Sequence, residues 1–115
     1  MNIDIPTAVL EEEITAIFDD QAQNWSQDLD INMLFLRGVE NYMNDCLKVR
    51  GHVFLNEVYD ELGLPRTSQG ALVGWVLSSG KGIDFGVQTP DEKGGIPLKF
   101  NVDGVIYNQI EEDRA

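Results

Sequence analysis

Apolar residues recur with helical spacing over 31–50, and this is the longest such pattern in the chain. Lys48 and Arg50 would stand in the last turn, where cations are favourable, and Gly51 can close the helix in a left-handed conformation. The pattern predicts a helix over 31–50 with Asp30 as its N-cap. Its apolar face is wide enough to contact two neighbours and comprises Ile31, Leu34, Phe35, Val39, Tyr42, Cys46 and Leu47, with Gly38 beneath it and Met43 at its margin.

A second helical pattern lies near the N-terminus, where the apolar positions are Leu10, Ile14, Ile17 and Phe18. This spacing predicts an amphipathic helix over 7–22 that either packs on the rest of the domain or docks on a partner. Three consecutive acidic residues lie early in it, where the helix dipole favours anions: Glu11, Glu12 and Glu13. Trp25 follows in a polar connector, a position more typical of a lid over a core edge than of a binding anchor.

The stretch 52–77 is the most patterned part of the chain. Its first half predicts a short helix with one apolar stripe, ended by Gly63 and Pro65; the stripe is Leu55, Val58, Tyr59 and Leu62. A second helix over 68–77 is expected, although alternating Val73, Trp75 and Leu77 also allow a strand over 71–77. Gly70 and Gly74 each cost a helix about 1 kcal/mol relative to alanine, which indicates close packing there or, less directly, the approach of a partner's backbone.

The C-terminal third has the two-residue alternation of β-strands. Strands are predicted around 83–87 and 96–102, separated by the flexible loop 89–95, and Asp103-Gly104 is a strong hairpin signal that would place Val102 opposite Val105. The last five residues resemble a frayed acidic tail. Helices followed by a three-stranded antiparallel meander over 83–110 make an α+β fold, with a helical core at 31–77 and one domain spanning 1–115.

The net charge of −12 is the unusual feature of the composition. Solubility alone can account for it, but it also opposes phosphate-rich partners and favours basic ones. A single cysteine excludes an internal disulfide framework. The sequence has neither a signal-peptide pattern nor an apolar run long enough for a bilayer, so a cytoplasmic protein without membrane contact is expected.

Catalytic and metal-binding patterns are weak. His52 and Cys46 are too poor a pair to propose as base and nucleophile, and structural roles are expected for both. Asn101, Asp103 and Gly104 match the middle of a calcium-binding EF-hand loop, but its first and last ligand positions would hold a lysine and an isoleucine. We therefore expect no enzyme activity, no metal and no cofactor.

The element order over 31–102 resembles a winged helix-turn-helix domain. The resemblance implies a recognition helix at 68–77, a wing at 89–95 (TPDEKGG), and nucleic-acid contacts from Arg66, Gln69 and Lys93. The letters LNEVYDELGLPRT, with the GW that follows, are also similar to a small family of uncharacterised bacterial and phage proteins. That second resemblance implies a phage or prophage source and no particular activity.

These observations favour a non-enzymatic, acidic protein-interaction module that contacts a basic surface on a protein partner. It would act as an inhibitor or nucleic-acid mimic, or as an assembly factor or virion component. The predicted contact residues are Glu11, Glu12, Glu13, Asp19 and Asp20, with Trp25 as an anchor. A winged-helix DNA-binding regulator is the alternative, although a protein of this charge would need a strong local concentration of cations to hold a polyanion.

Overall fold

The structure, a computed structural model, describes the backbone of residues 13–114 and the side chains of residues 13–110. The described helices are α1 (Leu29–Arg50), α2 (Leu55–Leu62) and α3 (Tyr107–Arg114). The described strands are β1 (Ile14–Phe18), β2 (His52–Phe54), β3 (Val73–Val76), β4 (Ile96–Phe100) and β5 (Gly104–Val105). They form two antiparallel sheets, β1-β4 and β2-β3-β5, and the predicted α+β class is confirmed.

Helix α1 confirms the longest predicted helix and begins two residues earlier than expected. Its N-cap is Asp28 rather than Asp30, because the Asp28 carboxylate accepts the backbone N–H groups of Asp30 and Ile31. Gly51 ends the helix at φ 88° and donates its N–H to Leu47 O. Both ends of the helix are therefore fixed by local sequence.

Helix α2 also forms where its apolar stripe predicts it. The Glu57 carboxylate reaches back to the Phe54 N–H at 2.8 Å and caps the start, while Gly63 ends the helix at φ 77°. The four stripe residues are all buried: Leu55, Val58, Tyr59 and Leu62. Residues His52–Phe54 form the short strand β2, which leads directly into this helix.

The predicted helix over 7–22 is wrong in its described part, because residues 14–18 form strand β1. Ile14 and Phe18 are buried as the helix required, but Ile17 is 52% exposed. Residues four apart share a face in a strand as well as in a helix, so this spacing does not separate the two. Pairing with β4, from Ile14 opposite Phe100 to Phe18 opposite Ile96, determines the outcome. The segment 7–12 lies outside the described residues.

The predicted helix over 68–77 is also wrong, and the strand alternative is correct. A single 3₁₀ turn, Gln69–Ala71, leads into β3, the middle strand of its sheet. A Cβ on Gly74 would lie 2.1 Å from Val53 O, and one on Gly70 would lie 2.1 Å from the Asn56 amide oxygen. Close packing within the chain therefore explains both glycines, and no recognition helix stands at this place.

The C-terminal strands pair differently from a simple meander. The strand predicted around 83–87 is wrong as a regular element, since Gly86 takes a left-handed φ of 58° in the middle of the segment. Residues 84–88 nevertheless run antiparallel to β4 across the 89–95 loop, with Lys99 N–H donating to Phe85 O at 2.9 Å. The expected hairpin at Asp103-Gly104 is wrong because β5 pairs with β3 instead of β4. Asp103 N–H donates to Gly74 O at 2.8 Å, which carries the chain across to β3. The predicted frayed tail is replaced, through residue 114, by helix α3.

One aromatic cluster joins the two sheets. The Phe100 ring in β4 makes edge contacts with Tyr59, Trp75 and Phe85 at centroid distances of 5.8, 6.5 and 5.6 Å. Trp75 and Phe85 are fully buried. Phe100 therefore links α2, β3 and the 84–88 segment into one continuous core.

Candidate functional site

Helix α1 carries two apolar faces, and only one of them is covered by the described residues. Its buried face is Leu36, Val39, Met43 and Leu47. The predicted wide face is wrong in part, because three of its members point outward: Ile31 is 53% exposed, Leu34 71% and Tyr42 53%. Val49, which is not part of the predicted face, is 85% exposed. We call Ile31, Leu34, Gly38, Tyr42 and Val49 the outer stripe.

Gly38 lies in the middle of the outer stripe, and no contact within the described part of the chain explains a glycine there. All eleven glycines are in the described part of the chain. The other ten either have a left-handed φ (Gly51, Gly63, Gly80, Gly82, Gly86, Gly94, Gly104) or leave no room for a Cβ (Gly70, Gly74, Gly95). A Cβ on Gly38 would meet nothing within 4 Å among the described atoms. The sequence signals for this face were its excessive width and a helix-weakening glycine at its centre.

A shallow groove of about 620 Å³ runs beside the N-terminal half of the stripe. Leu34 and Arg37 line it from α1, and Asp84 and Val87 line it from the extended segment. Glu40 fixes that segment, because its carboxylate accepts the Phe85 N–H at 2.9 Å. The groove therefore has a rigid far wall.

Two asparagines complete the attachment of the 82–86 segment. Asn44 on α1 accepts the Ile83 N–H at 2.9 Å and donates to Ile83 O at 3.0 Å. Asn101 accepts from the Trp75 indole at 2.9 Å and from Asp84 N–H at 2.8 Å. These two side chains thus supply backbone hydrogen bonds to the 82–86 segment that a neighbouring strand would provide in a regular sheet.

The C-terminal half of α1 borders a charged cleft shared with α2. Arg50 pairs with Glu57 at 2.7 Å, and Arg66 forms a two-pronged ion pair with Asp60. The Arg66 guanidinium holds the pKa of Asp60 below its usual range. A hydrogen bond with Cys46 raises the pKa of the Tyr42 phenol above its ordinary value. Both arginines of this cleft are already occupied by carboxylates.

The predicted acidic contact residues are dispersed. Glu11 and Glu12 lie outside the described residues. Glu13 is paired with Lys99 at 3.0 Å. Asp19 and Asp20 stand in the turn after β1, where the Asp19 carboxylate accepts the Gln21 N–H at 3.0 Å. These two aspartates are the part of the predicted patch that the described structure leaves outside ion pairs.

Trp25 packs on the edge of the core and is half-buried. Its ring lies 3.6 Å from the position of a Cβ on Gly94, so it also touches the 91–95 turn. Its indole N–H is buried and finds no acceptor among the described residues. This placement is that of a lid, the first of the two roles expected from the sequence.

The residues of the DNA-binding alternative lie in three different local structures. Arg66 follows α2 and is engaged by Asp60. Gln69 is half-buried in the 3₁₀ turn. Lys93 is exposed in the 91–95 turn, where its backbone N–H donates to the Asp91 carboxylate at 2.9 Å. No helix among residues 13–114 presents them together.

The remaining titratable residues hold structural positions. The His52 ring lies edge-on to Phe54 at 5.7 Å, and Cys46 is half-buried on α1. The Asp103 carboxylate accepts the Val76 N–H and the Ser79 hydroxyl, both at 2.9 Å. In the portion of the chain whose side chains are described, no group of three or more His, Cys, Asp or Glu could hold a metal ion. Across the same portion, no helix is both long and apolar enough to span a bilayer.

Comparison with known proteins gives one match. No curated protein and no solved structure is detectably similar to the sequence. One protein family matches the chain over residues 5–110, a range that includes β1, α1, α2, all the other strands and the start of α3. The chain therefore belongs to the family of unknown function DUF6353.

Proposed function

We propose that this protein is a non-catalytic module that binds a basic surface on another protein. The supporting observation is the charge left after internal pairing. Residues 13–110 contain fourteen Asp and Glu and seven Lys and Arg, and four of each form ion pairs, so ten carboxylates remain against three cations. Such a surface repels nucleic acid and attracts cationic partners over about one Debye length, ~8 Å at physiological ionic strength.

Asp19 and Asp20 are the contact residues we assign within the described structure. They stand next to each other in an exposed turn, and their carboxylates are not neutralised by any of the four ion pairs. Trp25 lies close by in sequence and offers an aromatic edge at the rim of the core. Glu11 and Glu12 belong to the same proposed surface by sequence.

The proposal extends to biological role. The module acts in the cytoplasm of a bacterial host, comes from a phage or prophage, and either occupies a nucleic-acid-binding site on its partner or serves in assembly. The excess of carboxylates supports the first version, since exposed carboxylates can substitute for phosphates at a basic site. The DNA-binding alternative required a recognition helix over 68–77, where the structure has strand β3. We therefore do not propose DNA binding.

An affinity capture of the tagged full chain from host lysate, with and without nuclease, tests the proposal. We expect a protein partner that survives nuclease and elutes as salt rises. Binding to that partner should weaken when Asp19→Asn and Asp20→Asn are combined. The control combines Glu61→Gln with Glu92→Gln, which removes two charges from other exposed positions.

Three results would count against the proposal. Loss of the partner after nuclease treatment would point to nucleic acid as the ligand. Binding that does not respond to ionic strength would remove the electrostatic argument. An equal effect of the two double variants would assign the binding to overall charge and would refute the specific role of Asp19 and Asp20.

A further inference from the structure

We infer that the outer stripe of α1 is a self-association surface, on which a second copy of this chain packs through its own α1 in antiparallel orientation. The stripe extends from Ile31 to Val49, about 27 Å along the helix, and its five residues fall within an arc of about 80°. Four exposed apolar side chains share this arc of one doubly capped helix. Asp45 also falls within the arc, so the apolar surface has two parts on the same helix face, one from Ile31 to Tyr42 and the other at Val49.

The spacing of the stripe is complementary to itself. When two copies of α1 pack antiparallel about a two-fold axis beside residue 40, residues whose numbers add up to 80 lie level with each other. Tyr42 then faces Gly38 of the second copy, and Ile31 faces Val49 of the second copy. The largest side chain of the stripe is thus placed opposite the position where a side chain is missing. This arrangement gives Gly38 the close-packing role that residues 13–110 of a single chain do not provide.

The charges beside the stripe follow the same symmetry. Of the three described cations outside internal ion pairs, Arg37 and Lys48 both lie on α1, on one side of the stripe. In the antiparallel pair, Lys48 comes within about 3 Å, measured along the axis, of Asp30 of the second copy. Arg37 is offset by the same distance from Asp45 of the second copy. A two-fold axis keeps the same sides together, so both contacts occur twice.

This charge pattern favours a second copy over other occupants of the stripe. Helix α1 is acidic in its first turn and basic in its last, so it complements its own reverse. A basic protein partner would meet Arg37 and Lys48 with like charge, whereas a second α1 meets them with carboxylates. The inference is independent of the proposed function, because Asp19 and Asp20 lie on a different element.

Mass measurement across a concentration series tests the inference directly. Sedimentation velocity of the full chain should show a shift from 12.9 kDa toward twice that mass as concentration rises through the micromolar range. Gly38→Leu should weaken the dimer by about tenfold or more, since it fills the space for Tyr42. Its monomer should stay folded, because the added side chain points into open space and leucine favours helix.

Two further comparisons make the result specific. Ile17→Thr removes a similarly exposed isoleucine from β1 and should leave the dimer unchanged. Lys48→Glu should weaken the dimer, and adding Asp30→Lys to it should restore association by exchanging the two charges. To fix the orientation, Ile31→Cys and Val49→Cys, each placed in Cys46→Ala chains, should crosslink to each other through a short bis-maleimide rather than each to itself.

Several outcomes would overturn the inference. A monomeric mass at every concentration would show that the outer stripe does not bind a second copy of this chain. A dimer that tolerates Gly38→Leu would place the interface elsewhere. A charge exchange that fails to restore association, or crosslinks between two Ile31→Cys chains, would exclude the antiparallel pairing.

Discussion

Gly74→Ala should be among the most destabilising single-methyl additions in this chain. The new Cβ would lie 2.1 Å from Val53 O, 2.9 Å from Phe54 Cα and 3.0 Å from Ile106 Cδ1. The first two atoms belong to the backbone of β2, which is hydrogen-bonded to β3. They therefore cannot move away without lengthening the hydrogen bonds between the two strands. Overpacking typically costs about 1–3 kcal/mol, and a collision with paired backbone belongs at the upper end, about 3 kcal/mol.

The same substitution at Gly38 is the matched control. Gly38→Ala adds a methyl group to an exposed helix position with nothing within 4 Å, so it should increase the free energy of unfolding by about 0.5–1 kcal/mol. The two variants should therefore differ by about 4 kcal/mol. At about 4 °C per kcal/mol for a chain of this size, their melting temperatures should differ by about 15 °C.

Urea unfolding followed by tryptophan fluorescence measures this difference, because Trp75 is fully buried and becomes exposed on unfolding. The measurement belongs at low protein concentration, so that association of α1 does not contribute. An unchanged m-value would show that both variants unfold from a comparably compact state. Neutral surface changes alter the free energy of unfolding by up to about 0.5 kcal/mol. If the two variants agree within that limit, the close contacts around Gly74 do not make an added methyl group destabilising, and the reasoning is refuted.

Two other predictions concern polar contacts. Asn101→Ala should cost about 2–3 kcal/mol in urea unfolding, because it leaves the Trp75 indole and the Asp84 N–H without their acceptor; a loss below about 0.5 kcal/mol would mean that water replaces these bonds. Arg66→Ala should remove stability fully above the pKa that Asp60 has in the unfolded chain. Arg66 lowers the pKa of Asp60 in the folded protein, so the ion pair stabilises the fold there. This stabilisation is lost as the pH falls through the folded pKa. The pair is exposed and screened by solvent, so the effect should be small, and a larger loss in acid than at neutral pH would contradict the assigned cause.

The elements that local sequence determines were predictable. Helices α1 and α2 have caps within two or three residues of their ends, and their glycines take the left-handed conformation that the sequence indicates. The class α+β follows from these helices and from the alternation around β4. The four apolar residues of the α2 stripe, which the sequence spacing places in the core, are buried as expected.

The failures arise where a partner distant in sequence decides the outcome. Residues 14–18 fit a helix as well as a strand, and only β4, about eighty residues later, selects the strand. Gly74 suits the centre of a crowded sheet, but the crowding comes from β2 and from Ile106, just before α3, and cannot be read from nearby residues. Ile31, Leu34 and Tyr42 of the outer stripe fall on the face predicted to contact neighbouring elements, because periodicity shows that a face is apolar without showing whether the chain covers it.

The pairing of β1 with β4 has a consequence during synthesis. The ribosome adds about 5–20 residues per second, so about 4–16 s pass between the synthesis of Phe18, the last residue of β1, and that of Phe100, the last residue of β4. For that interval the segment ITAIF, rich in β-forming residues, has no strand to pair with. Acidic residues stand on both sides of it, Glu11 to Glu13 before and Asp19 and Asp20 after. Flanking charges of one sign hinder such segments from pairing between nascent chains, so part of this protein's acidity protects it before it has folded.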